Sequence, residues 1–173
     1  MVENHLLELI QNQTSFNHFS NKNIPEEDLL IIAEAGRNSP TELYKNQRMF
    51  TIVENEEFID RLVTELGAAL DDKNYDFFNP AALLIVTVPE DNPYSLFEIG
   101  TISQNIILAA STLGIGAVWS GKIPYFSDRP KVKEIFNELD IPDNHYSLNL
   151  MALGIPVDKI KADESSEEIK IIE

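Results

Sequence analysis

Two long apolar segments dominate the hydrophobic pattern of the chain. Residues 81–88, Ala-Ala-Leu-Leu-Ile-Val-Thr-Val, are apolar at both odd and even positions, which predicts a central strand covered on both faces. Residues 95–113 are apolar almost all round at helical spacing, which predicts a helix near the centre of the fold. Gly114 and Gly116 then indicate a turn into a second buried strand, in which Trp119 is expected to lie in the core.

Weaker patterns on either side of these segments predict the remaining elements. Helical spacing of apolar residues predicts helices at about 25–37, 56–70 and 129–139. Runs of β-branched and aromatic residues predict strands at 49–53 and 147–153. The charged tail ends in an alternating segment, 169–172, which predicts a short strand able to pair with another chain's sheet edge.

Length and composition are those of one ordinary domain. With 173 residues, of which 43% are hydrophobic, the chain can bury one core, so we expect a single domain over residues 1–173. Its apolar runs fall short of the roughly 20 residues that cross a bilayer, so no membrane span is expected. The first residues lack the basic start and apolar stretch of a secretory signal, so the cytoplasm is the expected compartment.

Charge and residue types exclude several classes of chemistry. The net charge of −16 disfavours nucleic acid and anionic membranes as partners. The absence of cysteine excludes thiol chemistry, so any redox activity requires a bound cofactor. The three histidines are scattered along the chain and predict no metal site. Neither a Gly-x-Ser-x-Gly nor a Gly-x-Gly-x-x-Gly sequence is present.

Several short motifs follow one another in the order and spacing of a known family. On these motifs the chain resembles the FMN-binding nitroreductase family over nearly its whole length. They are Gln13-Thr-Ser15-Phe-Asn17, Ile24-Pro-Glu-Glu27, Ser39-Pro40-Thr41 followed by Tyr44 and Asn46, Gln104-Asn105, Leu113-Gly-Ile-Gly116, Ile141-Pro142 and Ala152-Leu-Gly-Ile-Pro156.

The resemblance implies an α+β fold in which helices cover both faces of a mixed sheet. It also implies an intertwined homodimer with FMN in each of two interface clefts. Residues 158–173 are then a C-terminal extension that packs on the partner subunit, with exchange of the terminal strand.

The implied activity is that of an FMN-dependent oxidoreductase. NAD(P)H passes a hydride to flavin N5, and the flavin reduces a small-molecule acceptor such as a nitro compound or a quinone. Alternatives within the same fold are a non-catalytic flavin-binding protein, a member without cofactor, and a member with specialised flavin chemistry.

The resemblance assigns the first motif to the flavin phosphate and ring edge. The family has arginines where this chain has Gln13 and Asn17, while Ser15 keeps its hydroxyl. Each lost charge-assisted hydrogen bond lowers FMN affinity by about tenfold to a hundredfold. A neutral Asn17 also predicts a lower reduction potential, because it stabilises the anionic reduced flavin less than a cation does. Lys159 and Lys161 either supply charge to the phosphate or lie on a solvated tail.

A second group of candidates matches the family loop that reaches the partner's flavin. Its members are Pro40, Thr41, Tyr44 and Asn46. Tyr44 either stacks or bonds where the family has an amide, or is an ordinary surface tyrosine. Arg37 and Arg48 lie close to this loop and could substitute for the missing phosphate cations.

Three further candidates lie in or after the long apolar helix. Asn105 is a lone amide that needs a hydrogen-bond partner if it is buried; it is either a flavin contact or an amide that joins two helices. Ser120 and Gly121 are small residues that let a planar ring approach the backbone.

Overall fold

A computed structural model describes residues 5–16, 18–41, 46–120, 129–161 and 167–172. Within these ranges the helices are α1 His5–Gln11, α2 Glu26–Arg37, α3 Glu56–Leu70, α4 Ser95–Thr112 and α5 Pro130–Asn137. The strands are β1 Thr14–Phe16, β2 Phe19–Ser20, β3 Met49–Val53, β4 Ala82–Pro89, β5 Gly116–Ser120, β6 His145–Pro156 and β7 Lys159–Lys161. The helices predicted at about 25–37, 56–70 and 129–139 are confirmed, and so are the strands predicted at 49–53, 81–88 and 147–153 and the buried strand after Gly116.

The main sheet has five strands in the order β2-β6-β4-β3, and β5 also pairs with β6. Every pairing among these strands is antiparallel. The mixed sheet implied by the resemblance is therefore not what the described strands form. A strand that pairs in parallel would have to come from another part of this chain or from a partner chain. Residues 167–172 belong to no helix or strand within this chain. The strand predicted at 169–172 is absent because a lone segment has no neighbouring strand with which to form hydrogen bonds.

Strand β4 is the centre of the core, as its two-sided apolar pattern predicts. All eight of its residues are buried. Leu83 and Ile85 pack with side chains of α3 and α5 on one face, while Leu84 and Val86 pack with side chains of α2 and α4 on the other. Helices therefore cover both faces of the sheet.

Local sequence signals explain where the helices begin and end. Pro25 and three acidic residues precede or open α2, and Arg37 lies in its last turn, which suits the helix dipole. The Asn55 side chain accepts a hydrogen bond from the Phe58 N–H at 2.8 Å and caps α3. Asp71 ends α3 in a left-handed conformation with φ of 55°.

The exposure of two segments adds to or corrects the sequence predictions. Helix α4 lies against the core on one side, as expected of a helix near the centre of the fold, while Leu96 and Phe97 are 71% and 77% exposed. The helix packs on the sheet through Ile99, Ile102 and Ile106 only on its inner side. Trp119 is 47% exposed instead of buried, although Ala117 and Val118 of the same strand each contact a core cluster.

Two glycines make room for an aromatic cluster at one end of the sheet. Gly116 and Gly154 are partners in the β5–β6 pairing. A Cβ atom at Gly154 would lie 2.3 Å from Phe19 Cγ, and one at Gly116 would lie 2.5 Å from Phe19 Cε1. Only glycine allows Phe19 to lie against both strands, and the Phe16 ring packs 6.1 Å from the Phe19 ring.

Candidate functional site

Most of the described candidate residues lie around two separate clefts. The first cleft lies at the end of the sheet where Phe16 and Phe19 pack. This cleft, here named the Gln13 cleft, has a volume of about 300 Å³. It is lined by His5, Glu8, Leu9, Asn12, Gln13, Thr14, Phe16, Ser111, Gly114, Ile115 and Pro156. Among the described side chains, its lining carries one carboxylate, from Glu8, and neither lysine nor arginine.

Gln13, which lines this cleft, carries a hydrogen-bond donor that is not used. Its Nε2 atom is buried and has no hydrogen-bond partner among the described residues. A buried amide N–H without a partner costs about 1–3 kcal/mol. The side chain is therefore suited to donate to an acceptor on a bound molecule.

A two-stranded ladder places the other predicted phosphate residues beside Gln13. Strand β1 pairs antiparallel with β7, so that Thr14 lies opposite Lys161 and Ser15 lies opposite Ile160. The backbone therefore brings the first motif and the two tail lysines together, as the resemblance implies. The side chains of Ser15, Lys159 and Lys161, like all of Asn17, lie outside the described parts of the structure.

The second cleft, here named the Arg cleft, lies where α2 ends. Its volume is about 620 Å³. It is lined by Arg37, Asn38, Ser39, Pro40, Thr41, Asn46, Arg48 and Phe50. Pro40, Thr41 and Asn46 are the loop residues assigned from the sequence, and the structure brings them together. Tyr44, the fourth, is not among the described residues.

Arg48 holds this loop in place. Its guanidinium donates to Ser39 Oγ at 2.8 Å, to the Arg37 carbonyl at 2.9 Å and to the Ser39 carbonyl at 3.2 Å. It also lies 5.9 Å from the centre of the Phe50 ring, within cation–π range. Burial lowers the pKa of the Arg48 guanidinium, and the charge of Glu98 opposes that shift. Arg48 therefore fixes the end of α2 as well as supplying charge.

Glu98 holds the same loop from the other side, and sequence reasoning missed it. Its side chain is buried in the first turn of α4. The Thr41 hydroxyl donates to Glu98 Oε1, and Asn92 Nδ2 donates to Glu98 Oε2 at 3.2 Å. The available signal was a single carboxylate inside a helix that is otherwise apolar. Such a group has to be paired when it is buried.

The two clefts lie towards opposite ends of α4. Glu98, which binds the Arg-cleft loop through Thr41, is in the first turn of the helix, whereas Ser111 lines the Gln13 cleft near its last turn. At a rise of 1.5 Å per residue, this separation is about 20 Å. The two clefts share no lining residue.

The remaining candidates take structural positions in the described part of the chain. Asn105 Nδ2 donates to the Ala35 carbonyl at 3.1 Å, which favours the interpretation as an amide that joins α4 to α2. Ser120 is buried at the end of β5 and shares a hydrogen bond with Tyr75. Burial raises the pKa of Tyr75, and this hydrogen bond opposes the shift. Gly121 lies outside the described residues.

Two searches of the described residues find nothing further. None of their helices combines the length and hydrophobicity that crossing a membrane requires. They contain no cluster of three or more histidine, aspartate or glutamate side chains arranged to hold a metal ion.

Comparison with known proteins identifies relatives that cover almost the whole chain. The model of the nitroreductase family matches residues 10–155. A protein of Methanothermobacter thermautotrophicus named "Putative NADH dehydrogenase/NAD(P)H nitroreductase" is 26% identical over 158 residues, which are 88% of this chain and 78% of the relative. An NADPH-dependent oxidoreductase of Staphylococcus haemolyticus is 25% identical and covers 91% of this chain and 67% of its own length.

Solved structures share the fold. The crystal structure of a nitroreductase with bound FMN from Bacteroides fragilis superposes with a TM-score of 0.86 at 25% identity. The match covers 98% of this chain and 100% of that one.

Proposed function

The chain belongs to the nitroreductase family, and we propose that it is an FMN-dependent oxidoreductase that takes electrons from NAD(P)H. The observation that carries this proposal is the match over 98% of the chain to a nitroreductase that was crystallised with FMN. The acceptor would be a nitro compound, a quinone or a related small molecule. FMN, when bound, supplies the redox chemistry that a chain without cysteine lacks.

The described residues fit a flavin mononucleotide. Gln13 Nε2 is an unpartnered buried donor and would bind a phosphate or ribityl oxygen. Ser15 and the lysines Lys159 and Lys161 lie on the paired strands beside it and would complete the phosphate contacts. In the Arg cleft, Arg48 binds Ser39 and Glu98 binds Thr41, so the start of the loop that carries Thr41 and Asn46 is held on both sides. This loop would orient the ring and exclude water from one face.

We propose that two copies of the chain form each flavin site. Support comes from the separation of the clefts, because the Gln13 residues and the loop residues of one protomer line no common space. The loop of one subunit would then meet the flavin held at the partner's Gln13 cleft. Further support comes from exposed apolar side chains on α2 and α4, namely Leu30, Ile31, Leu96 and Phe97.

The tail would take part in the same dimer. Residues 159–161 pair with β1 of their own chain, but Ile169, Ile171 and Ile172 are each at least 86% exposed. An apolar segment of this kind would be covered if residues beyond β7 packed on the partner subunit and added a strand to its sheet. Light scattering on the purified protein tests the dimer, and deletion of residues 167–173 is expected to weaken it.

The visible spectrum of the purified protein tests the proposed activity. We expect a yellow protein, or one that becomes yellow on incubation with FMN, whose flavin absorbance is bleached by NADH or NADPH in the absence of oxygen. A dimer that stays colourless with excess FMN would contradict the proposal.

A second candidate is a flavin-binding protein without catalysis. The specific observation in its favour is that the cleft has the neutral amide of Gln13 where the family has an arginine, and that its described lining adds only one charged side chain, the carboxylate of Glu8. A yellow protein whose flavin is reduced by neither nicotinamide donor, although it is reduced by dithionite, would favour this candidate over the oxidoreductase.

A further inference from the structure

The charge of the Arg cleft is opposite to that of the chain as a whole. The protein carries a net charge of −16, and a cleft of similar size beside α3, about 600 Å³, is lined by Glu54, Glu56, Asp60 and Asp76 without any lysine or arginine. The Arg cleft, at about 620 Å³, has Arg37 and Arg48 as its charged lining and no carboxylate among its described lining residues. A local excess of positive charge in an acidic protein attracts anionic ligands.

Two described glutamates interact with these arginines, and neither lines the cleft. Glu34 pairs with Arg37 through an exposed ion pair within α2, which water screens strongly. Glu98 is buried and already accepts hydrogen bonds from Thr41 and Asn92, and it does not line the cleft. Its charge acts on Arg48 through the loop.

The guanidinium of Arg48 has more N–H donors than its hydrogen bonds to described residues use. Its three hydrogen bonds to described residues go to Ser39 and to the Arg37 carbonyl, whereas an arginine has five N–H donors. Those bonds also hold the planar guanidinium group in one orientation, so the Arg48 side chain loses little conformational entropy when a ligand binds. The Phe50 ring lies under the guanidinium and forms an apolar wall of the same cleft.

We propose that the Arg cleft is an anion-recognition subsite for the carboxylate or phosphate of a planar small-molecule substrate. Phe50 contacts the flat part of the ligand, and Arg48 and Arg37 bind its anionic group. The proposal names the substrate class of the proposed oxidoreductase and rests on that function for its role in turnover, but binding itself can be measured without turnover. The anionic group could belong to the electron acceptor or to the electron donor.

A matched pair of probes tests the acceptor. Calorimetry with 4-nitrobenzoate and 4-nitrobenzamide, which differ in charge at similar shape, is expected to give about tenfold tighter binding of the carboxylate. Arg37→Gln is expected to reduce that preference about threefold, because this arginine is exposed. Arg48→Gln is expected to abolish it, and Arg48→Lys, which keeps the charge, to retain part of it if the loop stays folded.

Arg61→Gln is the matched control. Arg61 is also an exposed arginine paired with a glutamate, Glu138, and it lies on α3 across the sheet. Its loss changes the net charge by the same amount and should leave the probe preference unchanged. If Arg61→Gln and Arg37→Gln have equal effects, or if the wild-type protein binds both probes equally, the acceptor assignment is wrong.

The donor is tested by comparing NADPH with NADH, which differ by one phosphate. If that phosphate occupies the subsite, Arg37→Gln raises the KM for NADPH about threefold relative to the KM for NADH. The wild-type protein then shows no preference for 4-nitrobenzoate over 4-nitrobenzamide. If Arg37→Gln and Arg48→Gln change neither the relative affinity for the two nitro probes nor the relative KM for NADPH and NADH, the subsite does not exist. Both arginines then serve only to hold the loop. A protein that binds no FMN would refute the proposed function, while the calorimetry on that same protein would still decide the subsite.

Discussion

The Gln13 cleft and the Arg cleft are both built from residues that the family resemblance singles out, yet they are held together in different ways. The Gln13 cleft rests on short strands and an aromatic cluster, and its key amide has no described partner. The loop of the Arg cleft is tied by charged side chains on both sides, Arg48 and Glu98. The first has a buried donor without a described partner, whereas in the second Ser39 and Thr41 are already hydrogen-bonded before any ligand arrives.

This difference has an energetic consequence for each cleft. A buried donor without a partner lowers the free energy of unfolding of the free protein. That loss is reversed when a bound ligand accepts a hydrogen bond from the donor. A loop that is already hydrogen-bonded loses little entropy on binding. We therefore expect ligand binding to stabilise the Gln13 cleft strongly and mutations in the Arg-cleft network to destabilise the free protein. Four predictions follow from this comparison.

The largest expected effect is at the base of the Gln13 cleft. Gly154→Ala would place a methyl group 2.3–2.4 Å from Phe19 Cγ and Cβ, and atoms so close to the backbone cannot move aside easily. We expect destabilisation by about 3 kcal/mol, measured by urea unfolding, together with loss of FMN binding. Gly100→Ala is the control, because a Cβ there meets no atom within 4 Å. Equal stability of the two variants would show that Phe19 has room that the structure does not indicate.

The next largest effect is in the network of the Arg cleft. Glu98→Gln removes a buried charge that accepts from Thr41 and Asn92, and an amide can accept only one of these bonds through its oxygen while its NH2 group faces the other donor. We expect a loss of about 2 kcal/mol in the free energy of unfolding. Glu56→Gln, in the exposed first turn of α3, is expected to change it by less than about 0.5 kcal/mol. A change at Glu98 as small as the control would mean that the loop does not depend on this carboxylate.

The helices and strands differ in how well the sequence predicted them. Strong periodicity gave β4, α2 and α3 to within a residue or two, because each has a continuous apolar face that the core requires. The strands β1, β2 and β7 have two or three residues each, which is too short for any period to be recognised. Helix α1 was not predicted, although Leu6, Leu7 and Ile10 have helical spacing; it is only seven residues long and these side chains are exposed.

The site itself shows the same division. Gln13, Pro40, Thr41 and Asn46 were assigned to the site because their motifs keep the family's order, and the structure places them on the two clefts. The roles of Arg48 and Glu98 depend on contacts between residues far apart in sequence, such as Thr41 with Glu98, and no local pattern encodes these contacts. Trp119 was misplaced for a related reason. Ala117 and Val118 contact core clusters on opposite faces of β5, so the exposure of the next side chain depends on how far elements distant in sequence extend over the strand.

A smaller effect, of opposite sign, is expected at Gln13. Gln13→Met removes the unpartnered donor, so the flavin-free protein should become more stable by about 1 kcal/mol. FMN affinity, measured by quenching of flavin fluorescence, should fall about fivefold to tenfold because a hydrogen bond to the ligand is lost. Gln11→Met, at the exposed end of α1, is expected to change neither quantity. If Gln13→Met destabilised the free protein, the amide would have a partner within the protein.

The smallest expected effect is a pH dependence at the end of the sheet nearest the Arg cleft. His145 Nδ1 lies 3.1 Å from Thr87 Oγ1 where β6 begins, and burial lowers the pKa of His145 below its ordinary value near 6.5. Below pH 6.5 the unfolded chain therefore binds more protons at this site than the folded protein, so stability falls with acidification until the lowered pKa is passed, and His145 contributes no slope well above pH 6.5. His145→Gln should reduce the loss of urea resistance between pH 7 and 5. Parallel curves for the variant and the wild type would show that the imidazole is protonated as readily in the folded protein as in the unfolded chain, and that the slope arises at other groups.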